Sequence, residues 1–492
     1  MLRQPAPDPQ PRVPDYPAPA LFIDGEWHPV GSAGALAIEN PATAEPLGRV
    51  PLADDAQIVA AADAAQRAQP AWAALTPLAR FELITRATRL LRERADAIAG
   101  VMTLEQGKPL AESRREVLLS ADIIDFLAEE GKRAGGRLVP PRTAGIVAQM
   151  VVPVPVGPAA LFTPWNFPLN LPARKVGAAL AAGCTAVLKP SEETPGSAVA
   201  LVRAFHDAGL PPGVLNLVCG TPAHVSGLLI EHPAIRKVSF TGSVPVGKQL
   251  GVLCAQRVKR YTAELGGHAP VLVSGGVDAR AVAAASVAAK YRNAGQICTS
   301  PTRFYVHESV FGTFVEAFAA GAAALRVGDG RVPGTAMGPL ASARRLAEVD
   351  ALVRDALEHG ARLVCGGRRL HGPGHFYAPT LLADVPPAAR VMREEPFGPV
   401  ALVNRWQALD EAIAAANGLP YGLAAYLFTP DLGLAHRVAA RLEAGMVGVN
   451  QFGISQPETP FGGLKESGQG SESGSEGLAA YFDTKLITIG AA

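Results

Sequence analysis

Apolar residues in the first quarter of the chain recur at the three- and four-residue spacing of amphipathic helices. The predicted elements are a short strand over 21–29 and helices over 56–75, 77–99 and about 111–131. Pro77 near the first turn and Gly100 just past the last residue are the usual punctuation of the second helix. We interpret the three helices as packing elements and assign no chemistry to them.

From residue 158 to residue 264 the pattern changes to short apolar strands that alternate with helices. Strands are predicted at 159–163, 186–189, 214–219, 237–241 and 260–264, with helices near 170–183, 196–208, 222–231 and 246–255. This alternation is typical of a parallel sheet with helices on both faces, and such sheets bind ligands at the carboxyl ends of their strands. Residues 270–464 repeat the pattern and predict a second α/β domain.

An extended run over 143–156 contains Pro153 and Pro155. Proline lacks an N–H group, so the prolines place this run at the edge of a sheet. An exposed edge needs to be covered, and a second subunit is one way to do so. Residues 478–489 also show an extended, partly apolar pattern.

Charge and composition exclude several classes of protein. The 492 residues include 45 basic and 44 acidic side chains, for a net charge of +1 with histidine neutral. That balance predicts neither a nucleic-acid partner nor an anionic membrane surface as partner. The longest apolar run, 176–188, is too short and too interrupted by glycine to span a bilayer.

The five cysteines are odd in number and show no CxxC spacing. We therefore expect no disulfide framework, no metal site and a reducing, cytoplasmic location. Residues 1–20 contain seven prolines and no apolar core of a signal peptide. They predict a flexible arm.

Cys298 is the leading candidate for a nucleophile. It follows a Gly-Gln turn and precedes Thr299, Ser300 and Pro301, which places its thiol in the mouth of a loop. A thiolate attacks an aldehyde carbon when the site stabilises both the sulfur anion and the oxygen that becomes charged. The alternative is a small buried apolar side chain, which is the commoner use of a cysteine.

Asn166 lies between a predicted strand and a predicted helix, in Pro164-Trp165-Asn166-Phe167-Pro168. Its amide can donate two hydrogen bonds to a developing oxyanion. The alternative is that Asn166 only caps the helix at Leu169.

Glu192 ends the second strand of the alternating region, in Lys189-Pro190-Ser191-Glu192. A carboxylate at that place accepts hydrogen bonds from the adenosine ribose of a dinucleotide. It would repel a 2′-phosphate, which favours NAD over NADP. The alternative is a solvated Lys/Glu pair on a loop.

Three further motifs follow strands or turns. Gly242-Ser243 opens a helix, whose amides can hold a phosphate, although no GxGxxG fingerprint is present. Glu264 before Leu265-Gly266-Gly267 can act as a general base, or can form only a turn at a domain boundary. Glu395-Pro396-Phe397 can hold a ribose and a nicotinamide, or can be a turn with a packed phenylalanine.

Taken together, these motifs resemble those of the NAD(P)-dependent aldehyde dehydrogenase superfamily, from about residue 21 to residue 489. The motifs that carry the resemblance are those named above together with Gly295-Gln296-Ile297-Cys298, Met337-Gly338-Pro339-Leu340, Gly398-Pro399 and Pro460-Phe461-Gly462-Gly463. The resemblance implies an α/β aldehyde dehydrogenase fold with a Rossmann-type cofactor domain, an α/β catalytic domain and a small β oligomerisation ribbon. The implied bounds are 21–133 with 153–266, then 267–466, and 134–152 with 478–492.

The resemblance also implies a mechanism. Cys298 adds to the aldehyde, and the side chain of Asn166 with the Cys298 amide holds the oxygen of the thiohemiacetal. Hydride passes to the nicotinamide to leave a thioester, which water activated by Glu264 hydrolyses, with Lys175 near the site. The implied cofactor-binding residues are Thr163, Pro164, Trp165, Lys189, Ser191, Glu192, Gly242, Ser243, Leu265, Gly266, Glu395 and Phe397.

The substrate is implied by arginines. Arg174 stands where many relatives that take neutral aldehydes have tryptophan, and with Arg292 it resembles the anion clamp of succinate-semialdehyde dehydrogenases. Ser455 is a third candidate donor, and oxidation of succinate semialdehyde to succinate with NAD is the predicted reaction. Alternatively, Arg174 and Arg292 are only ion-pair partners within the protein.

Two departures from the family pattern favour a longer or more decorated semialdehyde. They are Gln456-Pro457-Glu458-Thr459 and Gly470-Ser471-Glu472-Ser473, where Arg-Glu-Gly is common. Other aliphatic or aromatic aldehydes, transfer of the acyl group to CoA, and a non-catalytic structural protein are the remaining alternatives. CoA-acylating relatives tend to lack the carboxylate at the Glu264 position. Dimers or tetramers are usual in the family, so we expect a homo-oligomer.

Overall fold

The structure is a computed structural model and describes residues 16–491. Its strands are β1 Leu21–Ile23, β2 Glu26–His28, β3 Ala35–Asn40, β4 Glu45–Pro51, β5 Arg137–Val139, β6 Ile146–Pro155, β7 Ala159–Phe162, β8 Ala186–Lys189, β9 Leu215–Leu217, β10 Lys237–Thr241, β11 Arg260–Glu264, β12 Ala269–Val273, β13 Pro301–His307, β14 Arg362–Cys365, β15 Thr380–Ala383, β16 Val400–Trp406, β17 Tyr421–Gly422, β18 Ala424–Phe428, β19 Met446–Val449, β20 Leu464–Lys465, β21 Gly468–Gln469 and β22 Phe482–Gly490.

The helices are α1 Asp55–Ala74, α2 Pro77–Glu93, α3 Ala95–Gln106, α4 Leu110–Gly131, α5 Asn170–Ala182, α6 Pro195–Asp207, α7 Pro222–Glu231, α8 Val244–Gln256, α9 Ala279–Tyr291, α10 Glu308–Ala323, α11 Ala343–Glu358, α12 Leu409–Asn417, α13 Leu432–Ala439 and α14 Gly474–Ala479. Short 3₁₀ turns lie at Arg292–Gly295 and Arg390–Met392.

The first large sheet has eight strands in the order β2-β1-β9-β8-β7-β10-β11-β21. Strands β9, β8, β7, β10 and β11 are parallel, and antiparallel strands close the two ends. The chain winds outward from β7 to β9 and then returns to place β10 on the other side of β7. Such a reversal creates a crevice at the carboxyl ends of the two central strands, which is where open α/β sheets bind ligands.

The second large sheet has seven strands in the order β14-β15-β16-β13-β12-β18-β19. All of its pairs are parallel except β14 with β15. Phe304 on β13 packs against Phe314 and Phe318 on α10. The loop that carries Cys298 connects α9 to β13, so both of its ends are fixed to elements of this sheet and its packed helices.

The third sheet, β22-β6-β5, is the extended ribbon predicted from the prolines. Strand β22 pairs along β6, whereas β5 pairs only with residues 149–151. Pro153 and Pro155 lie beyond the residues paired with β5, so the side of β6 away from β22 is unpaired there. The prediction of a sheet edge therefore holds for the end of the run that carries the prolines, whereas β6 as a whole is the middle strand because β5 pairs with residues 149–151.

The second predicted helix was wrong in its extent. The structure divides it at Arg94, so that α2 ends at Glu93 and Gly100 lies inside α3. The glycine that ends α3 is Gly107, with a φ of 93°. The charged run at 92–94 interrupts the apolar pattern, and Arg94, with φ −98° and ψ 10°, is the joint between the two helices.

Most of the predicted arm lies outside the described residues. Within its last five residues, the Tyr16 hydroxyl donates a hydrogen bond of 2.5 Å to the buried carboxylate of Glu105. The predicted domain boundaries stay a prediction, supported by the separate sheets. Within 16–491, no helix is long and apolar enough to cross a membrane, and no group of three His, Cys, Asp or Glu side chains is arranged to hold a metal ion.

Candidate active site

A cleft of about 490 Å³ lies at the crevice between β7 and β10. Most of the predicted catalytic and cofactor residues line it. These are Pro164, Trp165, Asn166, Gly242, Ser243, Glu264, Leu265, Gly266, Cys298, Glu395 and Phe397. Glu264 and Cys298 are 34 positions apart in the chain, and the fold brings both to this one cleft.

The loop before Cys298 has an unusual backbone. Asn293, Ala294 and Gly295 follow one another with φ values of 48°, 52° and 73°, in the left-handed region that only glycine enters freely. A Cβ atom on Gly295 would lie 2.1 Å from the carbonyl oxygen of Gly398. Glycine is required there because the nucleophile loop crosses the Glu395 loop at that point.

Gln296 fixes the same loop from inside the protein. Its side chain is buried, accepts a hydrogen bond of 2.9 Å from the Ala341 amide, and donates one of 3.1 Å to the carbonyl of Asn293. The two bonds anchor the loop to the start of α11 and close its turn. The loop is thereby held with Cys298 in the cleft.

Cys298 is half-buried against an apolar cluster of Leu423, Met446 and Phe461. Burial raises the pKa of its thiol to about 12, and the carboxylates of Glu395 and Glu264 add to the rise against a lowering by Arg174. The thiol is therefore protonated at neutral pH in the protein alone. Attack on a carbonyl carbon requires that its proton leave in the same event or before it.

Asn166 is buried and faces the nucleophile loop. Its side-chain nitrogen donates one hydrogen bond of 3.1 Å to the carbonyl of Gln296, which leaves its second N–H available. Within residues 16–491 the backbone N–H of Cys298 donates to no other residue. Two donors are thus free beside the thiol, as an oxyanion hole requires. The alternative that Asn166 only caps α5 is wrong, because α5 begins without a side-chain cap from it.

A buried ion pair holds Asn166 in place. Lys108 and Glu116 are 2.5 Å apart, and Lys108 Nζ also donates to the carbonyl of Asn166 at 2.8 Å. Glu116 accepts from the amides of Leu169 and Asn170 at 3.0 and 3.1 Å, so that it is Glu116 that caps α5. The charges are therefore arranged around the backbone that carries the oxyanion donor.

Glu264, the last residue of β11, is almost fully buried, and neither of its carboxylate oxygens has a hydrogen-bond partner within the described residues. Burial and the charge of Glu472 raise its pKa well above the ordinary value, against a lowering by Lys175 and Arg174. A buried carboxylate without a partner is costly unless the site uses it. Its lone pairs are free to accept a proton from a water molecule in the cleft.

Lys175 lies one layer behind the cleft. It is fully buried, pairs with Glu472 and donates to the Ser239 hydroxyl at 3.0 Å. Its charge acts on Glu264 from there and favours the ionised form of that carboxylate. The prediction that Lys175 lies near the active site is consistent with this position, and a direct catalytic role stays a prediction.

The cofactor candidates divide into two groups, of which the first lines the cleft. Gly242 and Ser243 lie at the start of α8. A Cβ atom on Gly266 would lie 2.5 Å from the Glu395 carboxylate, so the wall of the cleft is bare backbone at this glycine. Glu395 accepts from the Gly267 amide at 3.2 Å, and burial raises its pKa to about 8.

The second group lies outside the lined cleft, at the end of β8. Lys189 and Glu192 form an ion pair of 2.5 Å, and Glu192 also accepts from the Gly220 amide at 3.2 Å. Ser191 lies between them, and the Thr163 amide donates to the Lys189 carbonyl at 3.2 Å. Trp165 and Phe397 pack edge to face at 5.6 Å across the cleft.

The three predicted substrate residues differ in their surroundings. Arg174 is buried and donates to Ser455 Oγ at 2.8 Å, so two of the three residues are in contact. Arg292 is exposed, and its side chain forms neither a hydrogen bond nor an ion pair within residues 16–491. Neither arginine therefore has the carboxylate partner that the alternative of an ordinary ion pair requires.

The sequence missed several residues of the site. Glu112 and Glu116 lie in a helix interpreted as a packing element, and Lys108 lies in the break before it, yet Glu112 accepts from the Asn293 amide at 3.0 Å. Glu472 lies in a Gly/Ser/Glu-rich tail. The one available signal is that Glu112 and Glu116 are four apart on a helix that follows a lysine, a pattern shared by many exposed helix faces.

The cleft at the reversal of a parallel sheet, with a thiol and a free carboxylate on its walls, is that of a dinucleotide-dependent oxidoreductase. The chain belongs to the aldehyde dehydrogenase family, since residues 27–487 match that family. It is an oxidoreductase that acts on aldehydes, and the family uses NAD(P).

The chain is similar over almost its whole length to dehydrogenases of known substrate class. It is 50% identical to a 4-(hydroxymethyl)benzenesulfonate dehydrogenase of Comamonas testosteroni over 472 residues, which are 96% of this chain and 98% of the relative. It is 43% identical to the NADP(+) succinate-semialdehyde dehydrogenase of Escherichia coli, over 95% of this chain and 97% of the relative. The crystal structure of a succinate-semialdehyde dehydrogenase from Burkholderia pseudomallei superimposes with a TM-score of 0.95 at 41% identity, over 98% and 99% of the two chains. These values confirm the predicted family and fold.

Replacement of Glu264 by glutamine should separate acylation from hydrolysis. We expect a first-turnover burst of reduced cofactor at close to the wild-type amplitude, followed by steady-state turnover slowed by roughly 100- to 10,000-fold, the usual worth of a general base. In the wild type, the turnover rate should rise with pH, and the midpoint of this rise should lie above the ordinary pKa of a glutamate. The reason is that Glu264 acts as a base only when it is ionised, and its pKa is raised. Stopped-flow absorbance of the reduced nicotinamide measures the burst, and steady-state rates against pH measure the rise.

The control is Cys298→Ala, which should show neither burst nor turnover. A Glu264→Gln enzyme that turns over at the wild-type rate with the same rise with pH would contradict the role of this carboxylate.

Proposed function

We propose that this enzyme oxidises an aldehyde that carries an anionic group at its far end, with succinate semialdehyde to succinate as the specific reaction. The observation that carries the proposal is the surroundings of Arg174. Among the described residues this buried guanidinium is hydrogen-bonded only to neutral groups. It lies over the ring of Phe461, at 4.7 Å, and Phe461 belongs to the apolar cluster against which Cys298 packs. Glu472 and Glu264 act on this charge only from a distance. A buried positive charge that is bonded to no carboxylate attracts a carboxylate or a sulfonate.

Arg292 supports the same proposal from the outer side of the nucleophile loop. Its exposed guanidinium has no protein partner among the described residues, so it is available to an anion at the entrance. Arg292 lowers the pKa of the buried Tyr426 hydroxyl and ionisation of Cys298 would raise it; this hydroxyl donates to the Thr299 carbonyl at 2.7 Å. The arginine and the thiol are therefore within electrostatic reach of one side chain.

In the proposed mechanism, the sulfur of Cys298 bonds to the aldehyde carbon, the carbonyl oxygen becomes an oxyanion, and the thiol proton passes to solvent water. The free N–H of Asn166 and the amide of Cys298 stabilise the resulting oxyanion. When bound, the nicotinamide supplies the hydride acceptor. Glu264 then takes a proton from water as that water attacks the thioester carbon. The carbon–sulfur bond breaks, which releases the carboxylate product and restores the thiolate of Cys298.

The cleft fits a dinucleotide. Gly242 and Ser243 at the start of α8 would hold the pyrophosphate, and Glu395 would hold the nicotinamide ribose. Glu192 with Lys189 would hold the adenosine ribose, because that pair lies at the end of β8 beside the crevice. We infer that NAD is preferred, because the carboxylate of Glu192 would repel a 2′-phosphate.

A second candidate substrate is a sulfonated benzaldehyde. The 50% identity to a 4-(hydroxymethyl)benzenesulfonate dehydrogenase exceeds the 43% identity to a succinate-semialdehyde dehydrogenase. A thiol nucleophile requires a carbonyl carbon, so the compound of that class that suits Cys298 is 4-formylbenzenesulfonate, the aldehyde and not the alcohol. A sulfonate presents the same kind of negative oxygen to Arg174 as a carboxylate does.

We also propose that the ribbon of β5, β6 and β22 joins copies of the chain into a dimer or tetramer. Supporting this are apolar side chains that the single chain leaves exposed on the ribbon: Leu138, Val147, Leu486 and Ile489. Exposed edges and apolar patches of this kind are normally covered. A reducing, cytoplasmic location suits the five free cysteines and stays a prediction.

Replacement of Arg174 by alanine tests the substrate class. We expect kcat/KM to fall by roughly 10- to 150-fold for succinate semialdehyde, the equivalent of ~1.5–3 kcal/mol for hydrogen bonds to a charged group. The fall for butanal, a neutral aldehyde of the same length, should be far smaller. The falls in kcat/KM for 4-formylbenzenesulfonate and for benzaldehyde apply the same test to the second candidate. In the wild type, kcat/KM for 4-formylbenzenesulfonate and for succinate semialdehyde rank the two candidate substrates.

The matched control is Arg174→Lys, which keeps the charge but loses the planar fork, and which should lie between alanine and wild type. Equal losses for butanal and succinate semialdehyde in Arg174→Ala would rule out recognition of a remote anion.

Replacement of Glu192 by serine tests the cofactor. The ratio of kcat/KM for NADP over NAD should rise, because the like charge opposite the 2′-phosphate is removed. Steady-state kinetics with each cofactor at saturating aldehyde measure the ratio, and Glu358→Ser, an exposed carboxylate at the end of α11, serves as the control. An unchanged ratio in Glu192→Ser would remove the argument for NAD.

A further inference from the structure

Ser473 has a backbone conformation that serine rarely adopts. Its φ is 54° and its ψ is 177°, in a region that is nearly exclusive to glycine. The residue is fully buried, directly before α14. A glycine would adopt this conformation without strain, so the presence of a side chain here requires a reason.

The Ser473 hydroxyl lies 2.5 Å from Nη1 of Arg174. The other nitrogens of this guanidinium donate to Asn170 Oδ1 at 3.0 Å and to Ser455 Oγ at 2.8 Å. All three acceptors are neutral, and within residues 16–491 Arg174 forms no ion pair. The three bonds therefore fix the orientation of the guanidinium without neutralising its charge.

Two of the five N–H groups of the guanidinium remain after these bonds, one on each terminal nitrogen. A carboxylate or sulfonate can accept both of them together, provided that the plane of the guanidinium is held. Asn170 belongs to the same helix as Arg174, so it restrains only the near end of the side chain. Ser455 and Ser473 restrain the far end, and of the two only Ser473 is fully buried.

Neighbouring contacts connect Ser473 to the nucleophile. Glu472 and Phe461 exchange two backbone hydrogen bonds of 2.7 Å, and Glu472 binds Lys175, the residue after Arg174. The Phe461 ring lies under the Arg174 guanidinium and also belongs to the cluster that contacts Cys298. Successive residues of α5 thus bind successive residues of this segment, directly behind the catalytic thiol.

We propose that Ser473 is a positioning residue that determines specificity: its hydroxyl holds the uncompensated guanidinium of Arg174 in the orientation that binds the remote anion of the aldehyde. This inference rests on the proposed function. It also accounts for a serine in a backbone conformation that glycine adopts freely. The hydroxyl is the feature that glycine lacks.

The test compares Ser473→Gly and Ser473→Ala with the wild type on succinate semialdehyde and on butanal. Both variants should raise KM for succinate semialdehyde by roughly tenfold, the worth of one hydrogen bond to a charged group, with a much smaller change in kcat and a smaller change for butanal. Ser473→Gly should melt at or above the wild-type temperature, since it relieves the backbone conformation. A specificity change in a variant that has not lost stability cannot be ascribed to unfolding.

A second arm uses the Arg174→Ala background. There, Ser473→Gly should leave KM for succinate semialdehyde unaltered, because the hydroxyl acts through the guanidinium. Selective loss in Arg174→Ala together with an unchanged KM in both Ser473 variants would overturn the role of Ser473 alone. A non-selective loss in Arg174→Ala would overturn the proposed function, and the role of Ser473 with it.

Discussion

The carbonyl oxygen of Asn166 is the junction on which the site depends. It accepts hydrogen bonds from Lys108 Nζ at 2.8 Å and from Asn293 Nδ2 at 2.9 Å. One donor comes from the segment before α4 and the other from the nucleophile loop, so a single oxygen joins the oxyanion donor to the residues that carry the thiol. Loss of Lys108 would remove one of these two donors and leave Glu116 buried without its partner, which costs on the order of 3–5 kcal/mol.

Helix α4 extends the same constraint. Glu112 and Glu116 lie one helical turn apart; Glu112 accepts from the Asn293 amide and Glu116 from the first amides of α5. Burial raises the pKa of Glu112 and lowers that of Lys108, so each charge depends on the others to stay ionised. This cluster of charges lies behind the reacting atoms and determines their distances.

The reacting groups themselves are left without partners. Among residues 16–491, Glu264 receives no hydrogen bond on either oxygen, and Asn166 and the Cys298 amide each keep a free N–H. The hydrogen-bond acceptors of Arg174 are neutral, so no bonded carboxylate balances its charge within the described residues. The charged groups that support the site are therefore paired and packed, whereas the groups that face the cleft keep free donors and acceptors. This is expected where the substrate completes the hydrogen bonds.

The sequence predicted the part of this arrangement that follows from local patterns. Strands that end before Pro164, Glu192, Gly242 and Leu265 were predicted from alternating apolar runs, and parallel strands bring their carboxyl ends to one edge. The partners behind the site were not predicted. Lys108 and Glu116 look like surface charges in the sequence, and only the packing of α4 against α5 buries them; likewise no local pattern reveals that Ser473 faces Arg174 from 299 residues away.

The most direct measurement is the intact mass of the Glu264→Gln enzyme after mixing with succinate semialdehyde and NAD. The covalent mechanism predicts one acyl group bound to each chain, located on the peptide that contains Cys298 and absent from a Cys298→Ala enzyme with the same Glu264→Gln change. Turnover without any such adduct, or an adduct on one of the other four cysteines, would contradict it.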